Sequence, residues 1–204
     1  MKLKYAINLH KGTTAFFVTG LMIYFNNFSP VAWVYLALHG CYGFMWLFKD
    51  RVFPDRQWEE KVSVPYAALA FVSLGLYWVA PVYIVYNRIE PSAWVIGFAV
   101  AINVLGTLLH FGSDAQKYYT LLNKRGLITD GFFARCRNTN YLGELMIYCG
   151  FAALTASWIG FIGITLFFVF VFIPNMLRKD KSLSRYPEFA EYKKRSGLFF
   201  PKLW

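Results

Sequence analysis

The spacing of charged residues constrains this chain more than any other feature. Four long stretches contain no Asp, Glu, Lys or Arg: 12–48, 62–87, 91–113 and 145–177. Charges are rare within hydrocarbon because it cannot solvate them, and a membrane-spanning helix needs roughly 20 apolar residues. The composition agrees, since 57% of the 204 residues are hydrophobic and only 16% are charged, against about 45–50% and about 25% in soluble domains. The chain is therefore predicted to be an integral membrane protein.

Polar breaks divide two of these stretches. The 33 residues between Glu144 and Arg178 would form one helix of about 50 Å, against about 30 Å of hydrocarbon. A polar break at Thr155-Ala156-Ser157 predicts a helical hairpin there instead, and Asn26-Asn27-Phe28-Ser29-Pro30 predicts an earlier turn. The other crossings are expected near 13–25, 30–48, 64–86 and 93–111. The predicted fold class is an all-α, multi-pass helical bundle with about six transmembrane helices.

The basic residues predict the orientation of this bundle. Twenty of the 21 Lys and Arg residues fall in the N-terminus, in 49–63, in 112–140 and in 178–204, and only Arg88 lies on the opposite side. Cytoplasmic loops carry the excess of Lys and Arg, so both termini are expected to be cytoplasmic. Attraction to anionic membrane lipids accounts for the same charges. Binding to nucleic acid is not expected, because the charges are divided among membrane loops.

Several chemistries are excluded by inspection. The chain has no G-x-G-x-x-G, P-loop, G-x-S-x-G or H-E-x-x-H motif, which mark dinucleotide, phosphate, hydrolase and zinc sites. His10, His39 and His110 are far apart, and the three cysteines lack metal-type spacing, so no metal site is predicted. Any chemistry must use the helices and the segments 112–140 and 178–204.

Unusual polar residues stand where the predicted fifth crossing begins. A helix starting near Asn140 places residues 140 and 144 on one face, with Tyr141 beside them. Glu144 would then point into the bundle, where a carboxylate is costly and needs a polar cavity or a cation such as Arg137 or Lys117. In the alternative interpretation, Glu144 reaches outwards to the interface and Asn140 only caps the helix.

Three separated motifs carry a resemblance to a known family. They are Asp114-Ala115-Gln116-Lys117, then Gly131-Phe132-Phe133 leading to Arg137-Asn138-Thr139-Asn140-Tyr141-Leu142-Gly143-Glu144, and finally Arg185-Tyr186-Pro187-Glu188-Phe189-Ala190-Glu191-Tyr192 with Phe199-Phe200-Pro201. Their order and spacing over roughly 110–204 resemble the C-terminal half of the steroid 5-alpha-reductase and sterol reductase family. The first half of the chain is similar only in its number of crossings.

The resemblance implies a membrane-embedded oxidoreductase that binds NADPH and passes hydride to a carbon–carbon double bond of a hydrophobic, lipid-like substrate. It implies a single membrane domain, 1–204, with a four-helix substrate half in 1–111 and a cofactor half in 112–204, which includes the hairpin and the basic tail. The cofactor contacts that it implies are Gln116 and Lys117, Arg137 for phosphate, Asn140, Tyr141 and Glu144 for nicotinamide and ribose, and Arg185 and Tyr192 from the tail.

The chain departs from this family at two places. The family commonly reads Arg-His-Pro-Asn-Tyr, whereas Asn138 and Thr139 replace the histidine and the proline here. The first four predicted crossings also lack the carboxylic acid with which steroid 5-alpha-reductases polarise a carbonyl, so a 3-oxosteroid substrate is not implied. Tyr141 and His39 are the candidate catalytic residues, with His39 as a proton donor. Alternatively, His39 only packs between helices, beside Gly40 and Gly43.

Two other functions remain open. Membrane methyltransferases that act on isoprenylcysteine or phospholipid amines resemble the same half of the chain, but they bind S-adenosylmethionine. The motif at 114–117 favours the reductase, and so do the basic residues, because NADPH carries phosphate charges and adenosylmethionine carries none. The third function is that of a non-catalytic relative, which the departures at 138–139 favour.

Overall fold

The computed structural model describes residues 1–203, and every regular element in this range is helical. The helices are α1 (Leu3–Tyr24), α2 (Pro30–Val52), α3 (Val64–Leu74), α4 (Val79–Tyr86), α5 (Ala93–Asn123), α6 (Thr139–Ala153), α7 (Ile162–Phe167), α8 (Ile173–Leu183) and α9 (Phe189–Arg195). A 3-10 turn joins α3 to α4, and a π-helical turn at Phe168–Phe172 joins α7 to α8.

Four helical segments are long and apolar enough to cross a membrane. They are Pro30–Val52, Val64–Tyr86, Ala93–Asn123 and Trp158–Leu183. The protein is therefore an all-helical membrane protein, as the charge spacing predicts. Helices α1 and α6 lie at the other two predicted crossings, while the total of six crossings and the orientation of the termini stay predictions.

Local sequence signals explain several helix ends. Pro30 begins α2, where its missing N–H has no helical partner to lose. The Ser63 side chain accepts a hydrogen bond from Tyr66 N and caps α3. Helix α6 ends at Ala153 and the next helical turn starts at Trp158, with Ala156 in the left-handed region at φ 49°. This confirms the predicted break at 155–157.

The chain forms two compact units. The N-terminal unit comprises Met1–Asn103 and Tyr148–Gly163, and within it α1 packs against α2, α3 and α4. Two glycines of α2 permit a close approach to α1: a Cβ at Gly40 would lie 3.2 Å from Ala15 Cβ, and Gly43 lies against the Lys11 carbonyl. Small residues of this kind are what membrane helices use to approach each other closely.

Lys11 is unexpectedly buried in the N-terminal unit. The sequence assigns it to the basic N-terminus, yet it is only 3% exposed. Its ammonium donates hydrogen bonds to the hydroxyls of Tyr42 and Tyr148 and lies over the rings of Tyr42, Trp46, Tyr77 and Tyr148. Cation–π contacts of this kind stabilise a desolvated cation, so burial here has a physical basis.

The C-terminal unit comprises Val104–Ile147 and Ile164–Trp204. Helices α5 and α6 cross in it at two glycines, since a Cβ at Gly106 would stand 2.6 Å from Gly143 O. The chain after α9 returns to the segment before α6: Arg137 N donates to Gly197 O and Gly197 N donates to Arg135 O, both at 2.9 Å. The tail is thereby tied to the start of α6.

The six-crossing topology predicts that Asn87 and Asp130 lie on opposite sides of the membrane. Both residues are exposed, so a single cysteine at either position is expected to react with a membrane-impermeant maleimide. In a background without Cys41, Cys136 and Cys149, the two positions should label from opposite faces of sealed vesicles. Labelling of both from the same face would exclude the topology.

Candidate functional site

One face of α5 carries three ionisable residues at helical spacing. His110, Asp114 and Lys117 lie one turn apart, and the Asp114 carboxylate is almost fully buried. Its Oδ1 is 3.2 Å from Lys117 Nζ, and His110 Nδ1 is 3.0 Å from the Asn140 carbonyl at the start of α6. A buried carboxylate requires such partners, so this face of α5 forms a polar wall in the C-terminal unit.

Gln116 holds the loop that follows α5. Its Oε1 accepts a hydrogen bond from Phe132 N at 2.9 Å, and its Nε2 donates to Asp130 Oδ1 at 3.1 Å. The amide lies so close to Gly131 that a Cβ there would be 2.6 Å from it, and Gly131 also has a positive φ of 53°. The residue predicted to contact the cofactor thus shapes the loop in this structure.

Arg137 lies at the centre of the site and is only 4% exposed. Its Nε and Nη2 donate to the two carboxylate oxygens of Asp180 at 2.8 and 3.0 Å, a bidentate pair. Its Nη1 donates to the carbonyl and the hydroxyl oxygen of Ser196. A bidentate arginine–carboxylate pair is among the stronger side-chain interactions. Arg137 therefore joins the segment before α6 to α8 and to the tail.

The two departures from the family pattern have structural partners. The Asn138 amide donates to Leu198 O at 2.8 Å, and the Thr139 hydroxyl donates to Phe132 O at 2.6 Å. Both residues are buried. In this chain, an amide and a hydroxyl at these positions fasten the tail and the 131–133 turn to the start of α6.

The first turn of α6 presents the remaining predicted cofactor residues. Asn140 Oδ1 is buried and has no hydrogen-bond partner among residues 1–203. The Tyr141 ring lies 5.1 Å from that of Phe172. Glu144 follows one turn later and is half-buried. The turn therefore offers an acceptor, a hydroxyl and a carboxylate in adjoining positions.

A cavity of about 100 Å³ in the C-terminal unit brings together residues that are distant in sequence. Its polar lining consists of Lys117, Arg137, Lys179 and Tyr192, and its apolar lining includes Leu121, Leu127, Ile128, Phe133 and Leu183. We call it the cation-lined cavity. Three of the four polar residues were predicted from the sequence. Lys179 was not, because in Arg178-Lys179-Asp180-Lys181 it looks like one more basic residue of the tail.

Of the two predicted tail residues, Tyr192 lines the cation-lined cavity and Arg185 does not. The Tyr192 hydroxyl donates to Phe133 O at 2.7 Å, and burial raises the pKa of Tyr192 to about 12, so the hydroxyl stays protonated at neutral pH. Arg185 is exposed, its guanidinium donates to Ser182 Oγ and Tyr186 Oη, and it does not line the cation-lined cavity.

His39, the other candidate catalytic residue, belongs to the N-terminal unit. It is fully buried, its Nδ1 lies 2.9 Å from the Tyr35 hydroxyl, and its ring stacks on Phe151 with 4.2 Å between the centroids. These are the contacts of a residue packed between helices. Among residues 1–203, no group of three or more His, Cys, Asp or Glu is placed to hold a metal ion.

The fold and the site together define a helical membrane protein with a basic cavity near its C-terminus. The chain belongs to the family described as "Protein of unknown function (DUF1295)", which matches residues 52–196. This range contains the motifs at 114–117, 137–144 and 185–192.

The chain is also similar to the cobalt-zinc-cadmium resistance protein CzcN of Cupriavidus metallidurans. The two are 35% identical over 115 residues, which is 55% of this chain and 53% of CzcN. The chain thus spans about half the length of the curated relative that it matches.

Proposed function

We propose that this protein is a membrane-embedded, NADPH-dependent reductase that saturates a carbon–carbon double bond of a steroid- or lipid-like substrate. The observation that carries the proposal is the cation-lined cavity, where Lys117, Arg137 and Lys179 meet from three separate parts of the chain. Cationic side chains that converge on one cavity suit a ligand that carries phosphate. NADPH is such a ligand.

The residues at the start of α6 do not line the cation-lined cavity, but their chemistry suits the other end of the same cofactor. Asn140 Oδ1 is a buried acceptor without a partner, and the amide of a nicotinamide carboxamide is a donor that would satisfy it. The Glu144 carboxylate can accept hydrogen bonds from ribose hydroxyls. The donor and acceptor set of this chain therefore fits NADPH at both its charged and its neutral parts.

The chemistry requires a hydride and a proton. NADPH, when bound, supplies the hydride. Tyr141 is the proposed proton donor, because it follows Asn140 in the first turn of α6 and its ring packs against Phe172. A tyrosine hydroxyl can act as a general acid. His39 in the N-terminal unit is the alternative donor.

The cation-lined cavity also bears on the other functions. S-adenosylmethionine carries no phosphate for the cationic side chains of this cavity to bind, so the methyltransferase is the less favoured enzyme. The name of CzcN refers to resistance to cobalt, zinc and cadmium. The excess positive charge of the cation-lined cavity does not favour a metal cation.

Thermal stability of the purified protein in detergent tests the proposal. A ligand that binds only the folded state raises the free energy of unfolding by about 2.7 kcal/mol at a hundredfold excess over its Kd. For a chain of this length we expect NADPH to raise the Tm by about 5–10 °C. S-adenosylmethionine, added in parallel, should have little effect.

Three results of this experiment distinguish the three functions. Stabilisation by NADPH alone supports the reductase. Stabilisation by S-adenosylmethionine alone would establish the methyltransferase and overturn the proposal. If neither cofactor raises the Tm at any concentration up to millimolar, the non-catalytic relative is correct and the proposal is wrong.

A further inference from the structure

We propose that Lys179 is the residue that binds a phosphoryl group in the cation-lined cavity, and that Arg137 is a positioning residue that holds the cavity together. The inference deepens the proposed function and rests on it for the identity of the whole ligand. The assignment of the anion site itself rests on the contacts of Lys179 and Arg137, which differ in kind although both residues line the same cavity.

The donors of Arg137 are already committed. A guanidinium has five N–H donors, and four hydrogen bonds from Arg137 reach the Asp180 carboxylate and Ser196. An incoming phosphate would have to break the bidentate pair with Asp180 and leave that carboxylate without its cation. Arg137 therefore serves the cavity by fixing α8 and the tail.

The Lys179 ammonium has hydrogen-bond donors that are not used within residues 1–203. Its ammonium makes one hydrogen bond, to the Arg137 carbonyl at 2.7 Å, and lies 5.3 Å from the centre of the Phe133 ring. An ammonium has three donors, and no carboxylate within residues 1–203 forms an ion pair with Lys179. A half-buried cation that faces a cavity without a carboxylate partner is the expected state of an anion site before it is filled.

The charges around Lys179 favour an anion. Lys117 pairs with Asp114, and Arg137 pairs with Asp180, so Lys179 carries the one positive charge that no carboxylate in the described part of the chain neutralises by an ion pair. Lys117, Asp114 and Asp180 all interact with Lys179 electrostatically, and these charges together with Arg137 leave one net positive charge. A phosphate monoester, which is close to a dianion at pH 7, is attracted to such a site.

The size of the cavity limits what can enter. On the measure by which one water molecule needs about 10–15 Å³, the cavity of about 100 Å³ has room for a phosphoryl group. The phosphate monoester of NADPH, which NADH lacks, is the group that meets both the charge and the size. Lys179 is thus proposed to confer the preference for NADPH over NADH.

Binding of adenosine 2′,5′-bisphosphate, NADPH and NADH to the full chain in detergent tests this inference. Loss of one charge-assisted hydrogen bond weakens binding by about ten- to a hundredfold. We expect this loss for adenosine 2′,5′-bisphosphate and NADPH in Lys179→Met, little change in the weak affinity for NADH, and affinity within a few-fold of wild type in Lys179→Arg. Lys181→Met, two residues away on the same helix and exposed, is the matched control and should bind as wild type does.

The ligand-free melting temperature separates the two roles. Arg137→Lys should lower it because the bidentate pair is lost, whereas Lys179→Met should leave it unchanged or raise it because an unpaired cation is removed. Undiminished binding of adenosine 2′,5′-bisphosphate and NADPH by Lys179→Met, or an equal loss in Lys181→Met, would overturn the inference while the reductase stands. Lys179-dependent binding of adenosine 2′,5′-bisphosphate without any response to NADPH would support the anion site and overturn the proposed function.

Discussion

Replacing Arg137 by methionine is expected to lower the free energy of unfolding by about 3–5 kcal/mol, the range for breaking a buried ion pair on one side. The side chain is 4% exposed and that of its partner Asp180 is 15% exposed. The Asp180 carboxylate, left without its partner, would therefore be poorly solvated by water. The substitution also removes the hydrogen bonds to Ser196, which hold the tail. Reversible unfolding in mixed detergent micelles measures the difference.

Arg135→Met is the matched control for this experiment. Arg135 is two residues away and exposed, and substitutions at such surface positions usually change stability by less than about 0.5 kcal/mol. If the two variants unfold alike, the Arg137–Asp180 pair does not hold the C-terminal unit together. A second substitution, Asp180→Leu in the Arg137→Met background, should recover part of the loss because it removes the unpaired carboxylate.

Replacing Glu144 by glutamine is expected to weaken NADPH binding at least tenfold without unfolding the protein. The change preserves shape and removes only the charge with which Glu144 is proposed to accept hydrogen bonds from ribose. Bonds to a charged acceptor contribute about 1.5–3 kcal/mol each, so loss of one or two weakens binding by at least tenfold. Titration of the detergent-solubilised variant with NADPH, followed by tryptophan fluorescence, measures the effect.

Glu188→Gln provides the comparison, because Glu188 is exposed at the start of α9 and carries the same charge. It should bind NADPH with the wild-type affinity. If Glu144 instead lies only at the membrane interface, Glu144→Gln will bind NADPH normally and be slightly more stable, since it no longer places a charge near hydrocarbon. That result would remove Glu144 from the site.

The helices were predictable because their signals are local. Charge-free stretches, Pro30 and the break at 155–157 mark where apolar helices start and stop, and those signals depend on neighbouring residues alone. Two helices extend well beyond their predicted crossings: α1 begins at Leu3, before the crossing expected near 13–25, and α5 continues to Asn123, beyond the end expected near Phe111. The extension of α5 is polar, and the Lys117–Asp114 pair within it supports the helix beyond the apolar stretch.

The candidate site was predictable only in part. The motifs pointed to Lys117, Arg137 and Tyr192, which do line one cavity. They could not reveal that Gln116 holds a loop, that Arg185 lies outside the cavity, or that Lys179 lines it. The π-helical turn at Phe168–Phe172 lies just before Asn175 and Lys179 on the same helical segment. The hydropathy of residues 168–172 gives no sign of this turn.

The sequence by itself determined the class of protein, the positions of the apolar helices and the segments in which polar chemistry is possible, because each follows from the free energy of placing local groups in hydrocarbon or water. Only the tertiary structure decided which charges are buried and with whom. Lys11 is enclosed by rings from α2, α6 and the 75–78 turn, and Arg137 pairs with a carboxylate 43 residues away. Such pairings depend on contacts between distant segments, which exist only once the chain has folded.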